Sequence, residues 1–431
     1  MTAMRNWAMF AALAACWASG LAAGSVDRSV RPEARPASGP AELVATTPER
    51  TMAARGPEAD LGFNIWVASF KRRAEGLGLD PRLLDRAFDG VRFDADVIRR
   101  DRTQLEFTKT VWDYLDTAVS DARIRAGKAV MARHADTLAE IEDRYGVDAR
   151  IVAAIWGLES AYGAVRGSQG VIRSLATLAH DSRRGAFFES QLVAALSILQ
   201  RREAGLPDMR GSWAGAMGHT QFMPTSYLLY AVDHDGDGRR DIWGDDPADA
   251  LASTAAYLAR FGWTRGQPWG VEVTLPEGFD YLLADRRIEK SPADWAELGV
   301  LGTDGRPVPD HGPGSILLPG GHRGAAFMIF PNFAVLERYN TADAYVIGVG
   351  HLGDRIMGGE PIRHGWPRED RALTLDERLD LQRRLHALGF DPQGIDGRIG
   401  PLTVDAVRAY QSARGLVPDG YPSPSLLARL R

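Results

Sequence analysis

The chain has 431 residues, of which 45% are hydrophobic and 25% are charged, and this length allows two or three domains of about 150 residues each. The composition is that of a globular protein, which excludes a collagen-like, a wholly disordered and a polytopic membrane chain. The 51 basic and 56 acidic residues leave a net charge of −5 without a basic block, so no nucleic acid partner is expected. The single cysteine, Cys16, excludes an intramolecular disulfide and a cysteine-based zinc site.

The N-terminus has the pattern of an export signal, which we assign to residues 1–23. Arg5 precedes an unbroken apolar run over 7–15, whose length suits a signal peptide and is too short to span a bilayer. The Leu-Ala-Ala-Cys sequence that ends at Cys16 resembles a bacterial lipobox, in which that cysteine would be acylated. The small residues after it suit ordinary cleavage equally well, so both forms of processing remain open. The expected location is the periplasm, with or without a lipid anchor in the outer membrane.

The rest of the chain divides into a tether, two periodic units and a linker. Segment 24–59 is rich in Ala, Pro, Arg and Glu without apolar periodicity, which predicts a flexible tether. Apolar periodicity over 60–356 predicts a mainly α domain with a small β insert. Glycine and proline in 357–371 predict a loose linker. The last unit, 372–431, is periodic again and is too small to be more than a binding module.

Periodicity also predicts individual elements of the larger unit. Helices are predicted over residues 107–124, 128–145, 149–160, 187–204 and 247–261. Short apolar runs predict strands over residues 271–275 and 325–330.

Glu159 is the first candidate catalytic residue. Asp148 suits the N-cap of the predicted helix 149–160, and apolar residues four, seven and eight positions before Glu159 put its carboxylate on the apolar stripe. Carbonyl groups at the helix C-terminus and desolvation both disfavour the carboxylate, so we expect a raised pKa for Glu159. Such a group suits a general acid that works near neutral pH. The alternative is a glutamate buried in an ion pair or a capping interaction.

A glycine-rich run over 211–227 is the second candidate feature. Its small residues let the backbone approach a ligand closely, and Ser212, Gln221 and the aromatic residues supply hydrogen bonds and flat faces, a mixture that suits a sugar chain. An ordinary glycine-rich turn between helices is the alternative. We interpret His219 within this run as structural, because a lone histidine is more often structural than catalytic.

A third pattern indicates a cation site. Asp233, Asp235 and Asp237 occupy the first, third and fifth positions of an EF-hand loop, followed by the turn glycine. The bidentate glutamate expected at the twelfth position is missing, because Gly244 stands there. A solvated Asp-Gly turn is the alternative.

Three segments together resemble the membrane-bound lytic transglycosylase B family. They are residues 155–163 (IWGLESAYG), residues 212–227 (SWAGAMGHTQFMPTSY), and Asn332-Phe333 followed by Arg338-Tyr339-Asn340. The resemblance implies a lysozyme-like, mainly α fold with no cofactor needed for the chemistry. It also implies cleavage of the β-1,4 bond between N-acetylmuramic acid and N-acetylglucosamine in peptidoglycan, with a 1,6-anhydromuramoyl product.

The resemblance further implies roles for individual residues. Glu159 would be the single catalytic acid and base, assisted by the 2-acetamido group of the substrate. The residues implied to line the cleft are Ser212, Gln221, Phe222, Met223, Tyr257, Tyr339, Asn340 and Tyr345. Asp249 would close the calcium loop, with Arg239 giving its backbone carbonyl, and any calcium would be structural.

Two alternatives for the larger unit stay open. A hydrolytic muramidase would need a second acid such as Asp181 or Glu189, and nothing in the sequence places either opposite Glu159. A non-catalytic protein that only binds the wall is the other alternative. The pair Arg183-Arg184 could face the peptide stem of the substrate, although a solvated charge pair at a helix start is the preferred interpretation.

The last unit resembles the three-helix peptidoglycan-binding module. The matching segments are residues 381–390 (LQRRLHALGF), 396–403 (DGRIGPLT), 406–411 (AVRAYQ) and 418–420 (PDG). Such a module would hold the larger unit near its polymer by raising the effective concentration. We expect a monomer.

Overall fold

The computed structural model describes residues 57–103, 109–181 and 183–431. The predicted signal peptide, Cys16 and nearly all of the predicted tether lie outside these residues. The chain is mainly helical and forms two units, as predicted. Within the described part of the chain, no helix is long and apolar enough to cross a membrane.

The larger unit is built mainly from helices. They are α1 (Pro57–Gly76), α2 (Pro81–Phe88), α3 (Ala95–Thr103), α4 (Val111–Ala118), α5 (Asp121–Arg133), α6 (Ala135–Tyr145), α7 (Ala149–Ser160), α8 (Val171–His180), α9 (Gly185–Gln200), α10 (Pro224–Tyr230), α11 (Ala248–Arg260), α12 (Pro292–Glu297), α13 (Pro331–Tyr339) and α14 (Asp343–Ile356). Two of the predicted helices were too long. The chain leaves the helical conformation at Val119 and at His134, because φ and ψ there are −117° and 33°, and −109° and 29°.

Helix α7 lies at the centre of the larger unit and packs against α5, α6, α11 and α14. Arg150 and Glu159 are the two of its residues that are only partly buried. The sequence predicts an apolar stripe on one face of α7, whereas the helix is apolar on all sides, as expected of a helix in the core. A partly exposed carboxylate on such a helix marks the point where the core opens to solvent.

Two small antiparallel sheets complete the larger unit. Strands β1 (Gln169–Gly170) and β2 (Arg210–Gly211) pair with each other. The second sheet has the order β4-β3-β6-β5, built from β3 (Gly270–Thr274), β4 (Leu301–Gly302), β5 (Ser315–Leu317) and β6 (Ala326–Ile329). The two predicted strands correspond to β3 and β6, which pair from Gly270 with Ile329 to Val273 with Ala326. This sheet has its own core around the fully buried Trp295 and is the predicted β insert.

The C-terminal unit consists of α15 (Leu375–Ala387), α16 (Pro401–Ala413) and α17 (Pro424–Leu430) around a leucine-rich core. Two glutamines each fasten an Asp-Gly turn to a helix. The side chain of Gln382 accepts from the backbone N–H of Gly397 at 2.7 Å, and Gln411 accepts from that of Gly420 at 2.8 Å. The amide of Gln411 also donates to Asp419 Oδ1 at 2.7 Å.

Segment 357–371 is not the loose linker that its glycines and prolines predict. Trp366 stacks on Phe327 with 6.5 Å between the ring centroids. Arg368 donates to both carboxylate oxygens of Asp116 at 2.8 and 2.9 Å. Glycine and proline exclude a regular helix here, but they do not prevent a tryptophan from anchoring the segment on the larger unit.

Candidate active site

Glu159 is held from the side by a tyrosine of the neighbouring helix. The hydroxyl of Tyr345, on α14, donates to Glu159 Oε1 at 2.8 Å. Tyr345 is 1% exposed, so the core fixes its ring, and its hydroxyl fixes the direction of the carboxylate. The sequence placed Tyr345 among the substrate contacts, whereas its hydroxyl points to the candidate acid.

The predicted N-cap of α7 is made differently. The carboxylate of Asp148 does not cap the helix but accepts from the indole of Trp263 at 2.8 Å. Glu142 Oε2 instead accepts from the first backbone N–H of α7, that of Ala149, at 2.9 Å. The helix N-terminus is thus stabilised by an acid from α6.

A left-handed turn follows Glu159 directly. Ala161, Tyr162 and Gly163 have φ angles of 51°, 58° and 86°, a conformation that costs a residue with a side chain roughly 1–2 kcal/mol. The hydroxyl of Tyr162 donates to the carbonyl of Arg123 at 3.0 Å and holds the turn. Ser160 Oγ accepts from the backbone N–H of Gly163 at 2.9 Å. The turn ends α7 sharply and leaves the Glu159 side chain at the edge of the core.

Two glycines permit this turn. A Cβ atom at Gly157 would lie 2.6 Å from the ring of Tyr162, and one at Gly163 would lie 2.7 Å from the ring of His219. The aromatic rings therefore pack directly on the backbone around Glu159.

His219 is a buried structural link and is placed neither as an acid nor as a base. Its Nδ1 accepts from the indole of Trp156 at 3.1 Å, and its Nε2 lies 2.7 Å from the carbonyl of Gly244, to which it donates. The hydroxyl of Ser160 donates to the His219 carbonyl at 2.5 Å. Burial lowers the pKa of His219, so its ring is neutral near neutral pH.

Aromatic residues predicted to contact substrate form a buried wall beside Glu159. The ring of Tyr339 lies parallel to that of Tyr345, with 6.5 Å between the centroids. The Tyr339 hydroxyl donates to the carbonyl of Thr220 at 2.7 Å, and that of Tyr257 donates to the carbonyl of Arg338 at 2.6 Å. The side chains of Phe222 and Met223 are each 2% exposed. These residues support the cleft from behind more than they line it.

Three polar residues of the predicted cleft shape its loops. Ser212 Oγ accepts from the backbone N–H groups of Ala214 and Ala216 at 3.3 and 3.0 Å. Gln221, at a φ of 55°, donates from Nε2 to the carbonyls of Arg166 and Gly218 at 3.0 and 2.8 Å.

Asn340 completes this polar set. Its Oδ1 accepts from the backbone N–H of Ala342 at 3.1 Å. Gln221 Oε1 and Asn340 Nδ2 make no hydrogen bond with other described residues and are free for a ligand.

The acids considered as partners of Glu159 are engaged elsewhere. Asp181 pairs with Arg102 at 3.0 Å, and Glu189 pairs with Arg73 at 3.0 Å. Each carboxylate therefore belongs to an ion pair, and neither contacts Glu159.

The arginine pair Arg183-Arg184 is not simply solvated. Both guanidinium groups pair with Asp101, whose side chain is 3% exposed. They anchor the start of α9 to a buried carboxylate.

Three of the five predicted calcium ligands come together. Carboxylate oxygens of Asp233, Asp235 and Asp237 all lie within 4.8 Å of one another. Asp249 is buried beside them and accepts from the backbone N–H groups of His234 and Asp241 at 2.7 and 2.8 Å.

The remaining two predicted ligands have other contacts in the loop. Burial raises the pKa of Asp249, and the nearby charges of Asp235 and Asp233 raise it further. The backbone N–H of Arg239 donates to Asp237 Oδ1 at 2.8 Å. A hard cation suits this set of oxygen atoms, because it would neutralise the clustered carboxylates.

Comparison with known proteins agrees with this arrangement. The family described as Transglycosylase SLT domain matches residues 62–354, and the peptidoglycan binding domain family matches residues 374–430. The Membrane-bound lytic murein transglycosylase B of Escherichia coli (strain K12) is 31% identical over 251 residues. These residues make up 56% of this chain and 66% of that protein.

Two solved structures extend the comparison. SltB3 from Pseudomonas aeruginosa, in complex with NAG-anhNAM-pentapeptide, is 51% identical, with a TM-score of 0.83 over 86% of this chain and 99% of that chain. The Escherichia coli lytic transglycosylase Slt35, in complex with calcium, is 28% identical, with a TM-score of 0.57 over 69% of this chain and 93% of that chain. The larger unit is thus that of a lysozyme-like enzyme. The chain belongs to the SLT family of lytic transglycosylases.

Proposed function

We propose that the chain cleaves the β-1,4 bond between N-acetylmuramic acid and N-acetylglucosamine in peptidoglycan and leaves a 1,6-anhydromuramoyl end. The observation that carries this proposal is a single carboxylate, Glu159, held by the Tyr345 hydroxyl at 2.8 Å where the core opens to solvent. The complex of its relative SltB3 with NAG-anhNAM-pentapeptide supports the same product.

In the proposed reaction Glu159 acts twice. It first gives a proton to the glycosidic oxygen while the bond from that oxygen to C1 of the muramoyl sugar breaks, and the 2-acetamido group of the substrate stabilises the positive C1. Glu159 then takes the proton of the C6 hydroxyl as O6 bonds to C1. One proton moves in effect from O6 to the leaving oxygen, and no water is consumed.

Hydrolysis at the same bond is the less supported alternative. An inverting or retaining hydrolase uses two carboxylates across the bond. Asp181 and Glu189 are each paired with an arginine, so neither is available opposite Glu159.

We propose that substrate contacts involve the two free amide atoms, Gln221 Oε1 and Asn340 Nδ2. One accepts and the other donates, a combination that suits acetamido and hydroxyl groups of a hexosamine. Ser212 shapes the turn over residues 212–216 that precedes Gln221, and the wall that contains Tyr339 and Tyr257 keeps this surface rigid.

Mass spectrometry of muropeptides released from purified sacculi tests the reaction. We expect products with anhydro ends, whereas reducing ends would identify a muramidase. Glu159→Gln is expected to release products at least about a thousandfold more slowly, because general acid–base catalysis contributes about 10²–10⁴-fold at each step. Asp181→Asn and Glu189→Gln are matched controls that should keep parental activity. A Glu159→Gln protein as active as its parent would overturn the assignment.

We also propose that Asp233, Asp235 and Asp237 hold a structural calcium ion, with Asp249 and the Arg239 carbonyl nearby. The complex of the relative Slt35 with calcium supports this site. Calcium would supply charge neutralisation that stabilises the loop, and it takes no part in the chemistry. Chelation should lower the melting temperature of the parent but not that of Asp235→Asn. Equal melting temperatures of the parent with calcium and with chelator would contradict the site.

Finally, we propose that residues 60–356 form the catalytic domain and residues 372–431 a peptidoglycan-binding domain, in a monomer exported to the periplasm. Cys16 is the point at which a lipid anchor would attach. Fractionation of cells that express the parent or Cys16→Ser distinguishes acylation at Cys16 from ordinary cleavage of the signal peptide. Membrane association lost in the variant indicates a lipoprotein, and a parent found only in the soluble periplasmic fraction excludes one.

A further inference from the structure

A second cavity lies between the two units and shares no residue with the Glu159 cleft. Its volume is about 470 Å³, a size typical of small-ligand sites. One wall is the turn Gly321–Arg323 of the larger unit, a second is the docked segment around Glu369, and the third is formed by α17 and the loop before it. The cavity therefore exists only where the two units meet.

A buried acid builds the junction. Asp419, of the C-terminal unit, accepts with Oδ2 from the backbone N–H and from Nδ1 of His322 at 2.9 and 2.5 Å. Its Oδ1 accepts from Gln411 at 2.7 Å. A Cβ atom at Gly321 would lie 2.6 Å from this carboxylate. These contacts lock the turn of one unit to the turn of the other, so the cavity wall is rigid.

The walls carry charges of both signs. Arg429, an exposed residue, lines one side, and its guanidinium has no ion-pair or hydrogen-bond partner among the described residues. Glu369 lines another side, with its carboxylate 65% exposed although it pairs with Arg323. The apolar residues Leu416 and Val417 line the same cavity. Val417 is 38% exposed, an apolar surface that a ligand would cover.

We propose that this cavity binds the peptide stem of peptidoglycan, with a stem carboxylate on Arg429 and a stem amino group near Glu369. The choice of ligand rests on the proposed function. The stem carries carboxylates, an amino group and small apolar side chains, whereas the glycan strand has no cationic group. A cavity lined by a free guanidinium, an exposed carboxylate and apolar residues is complementary to the peptide.

Isothermal titration of the full chain with the synthetic pentapeptide L-Ala-γ-D-Glu-mDAP-D-Ala-D-Ala tests the site. The parent should bind, and Arg429→Gln should bind about tenfold more weakly, because it loses one charge-assisted contact. Glu369→Gln should weaken binding as well. Arg383→Gln is the matched control, because Arg383 is an exposed arginine of the same unit outside the cavity.

Three outcomes would overturn the proposal. They are absence of peptide binding by the parent, unchanged affinity of both cavity variants, and displacement of the peptide by stem-free glycan strands. The peptide contains no glycosidic bond, so its binding is independent of cleavage. Release of anhydro products without peptide binding would overturn only the cavity proposal, and peptide binding without anhydro products would overturn only the proposed reaction.

Discussion

The indole of Trp156 donates to Nδ1 of His219 at 3.1 Å, and through this bond the helix that carries Glu159 is tied to the glycine-rich run. His219 continues the link through its Nε2, which donates to the carbonyl of Gly244 at 2.7 Å. The backbone N–H of His219 donates to the carbonyl of Ile242 at 3.0 Å. One buried ring thus connects α7 with Gly244 of the candidate calcium loop.

Loss of the His219 ring should destabilise the protein, because the indole N–H of Trp156 loses its acceptor. His219→Leu leaves the indole N–H of Trp156 buried without a partner, which costs about 1–3 kcal/mol. The carbonyl of Gly244 still accepts from Arg166, so it adds little. His219→Asn should lose less, because its Oδ1 can replace Nδ1 as the acceptor. Urea unfolding measures both variants, and equal losses would contradict the role of the indole bond.

A second prediction concerns the donor to Glu159. Tyr345→Phe removes the hydroxyl at 2.8 Å from Oε1 and leaves the packing of the ring unchanged. We expect muropeptide release to slow by about tenfold, because the Glu159 carboxylate loses the one hydrogen bond from Tyr345 that orients it. The melting temperature should change little. Tyr281→Phe is the control, because the Tyr281 ring lies in the β insert. Parental rates for Tyr345→Phe would show that the hydroxyl does not position the acid.

The three C-terminal helices were implied by the resemblance to the peptidoglycan-binding module. Sequence periodicity predicted α7, and short apolar runs predicted the two strands, because burial repeats at short intervals along the chain. It also drew attention to Glu159, as an acid in an apolar helix. The sequence indicated that His219 is structural, but the hydrogen-bond partners of Tyr345 and His219 could not be read in this way. Their partners are 186 and 63 residues away in the chain, and a spacing of this kind carries no local signal.

The cleft residues show a second limit. The resemblance implied Tyr257, Tyr339 and Phe222 as cleft residues, and their rings pack on one another, but it could not distinguish residues that touch a ligand from those that support the wall. Each of the three is at most 5% exposed. Residues that contact a ligand and residues that support the site can occur in the same motif, and only their exposure in the structure distinguishes the two groups.

Gly157 gives a third prediction. A methyl group at this position would lie 2.6 Å from the ring of Tyr162, whose hydroxyl is fixed by the carbonyl of Arg123. The ring cannot move without breaking that bond, so Gly157→Ala should cost about 1–3 kcal/mol by overpacking, despite the better helix propensity of alanine. Gly76→Ala, where the space is open, is the control and should be neutral or stabilising. Unfolding in urea decides between these outcomes.

His351 gives a prediction about pH. Burial, with a smaller contribution from the charge of Arg355, lowers its pKa from 6.5 to about 4. Between pH 6.5 and pH 4, His351 is protonated in the unfolded chain but stays neutral in the folded protein. The free energy of unfolding should therefore fall as the pH decreases from 6.5 towards 4. His351→Gln lacks this titration. The difference in unfolding free energy between parent and variant should therefore decrease across this range, and a constant difference would contradict the shift.

The last prediction concerns the contact between the units. Arg408, of the C-terminal unit, donates to Asp285 Oδ2 of the β insert at 3.0 Å, and both side chains are 13% exposed. Hydrogen bonds from Arg287, supported by the charge of Arg408, lower the pKa of Asp285 to about 2. This stabilisation is complete above pH 3.8, the value of the free group, and is lost as the pH falls towards 2.

A double-mutant cycle of Arg408→Gln and Asp285→Asn measures the bond at neutral pH. Because the pair is largely buried, we expect a coupling energy of about 1–3 kcal/mol. Each single variant should also increase cleavage by protease within 357–371, since the docked segment is released with the C-terminal unit. Glu297→Gln, an exposed acid of the same insert, should change neither readout. A coupling energy near zero would mean that other contacts, such as those between Asp419 and His322, hold the two units together.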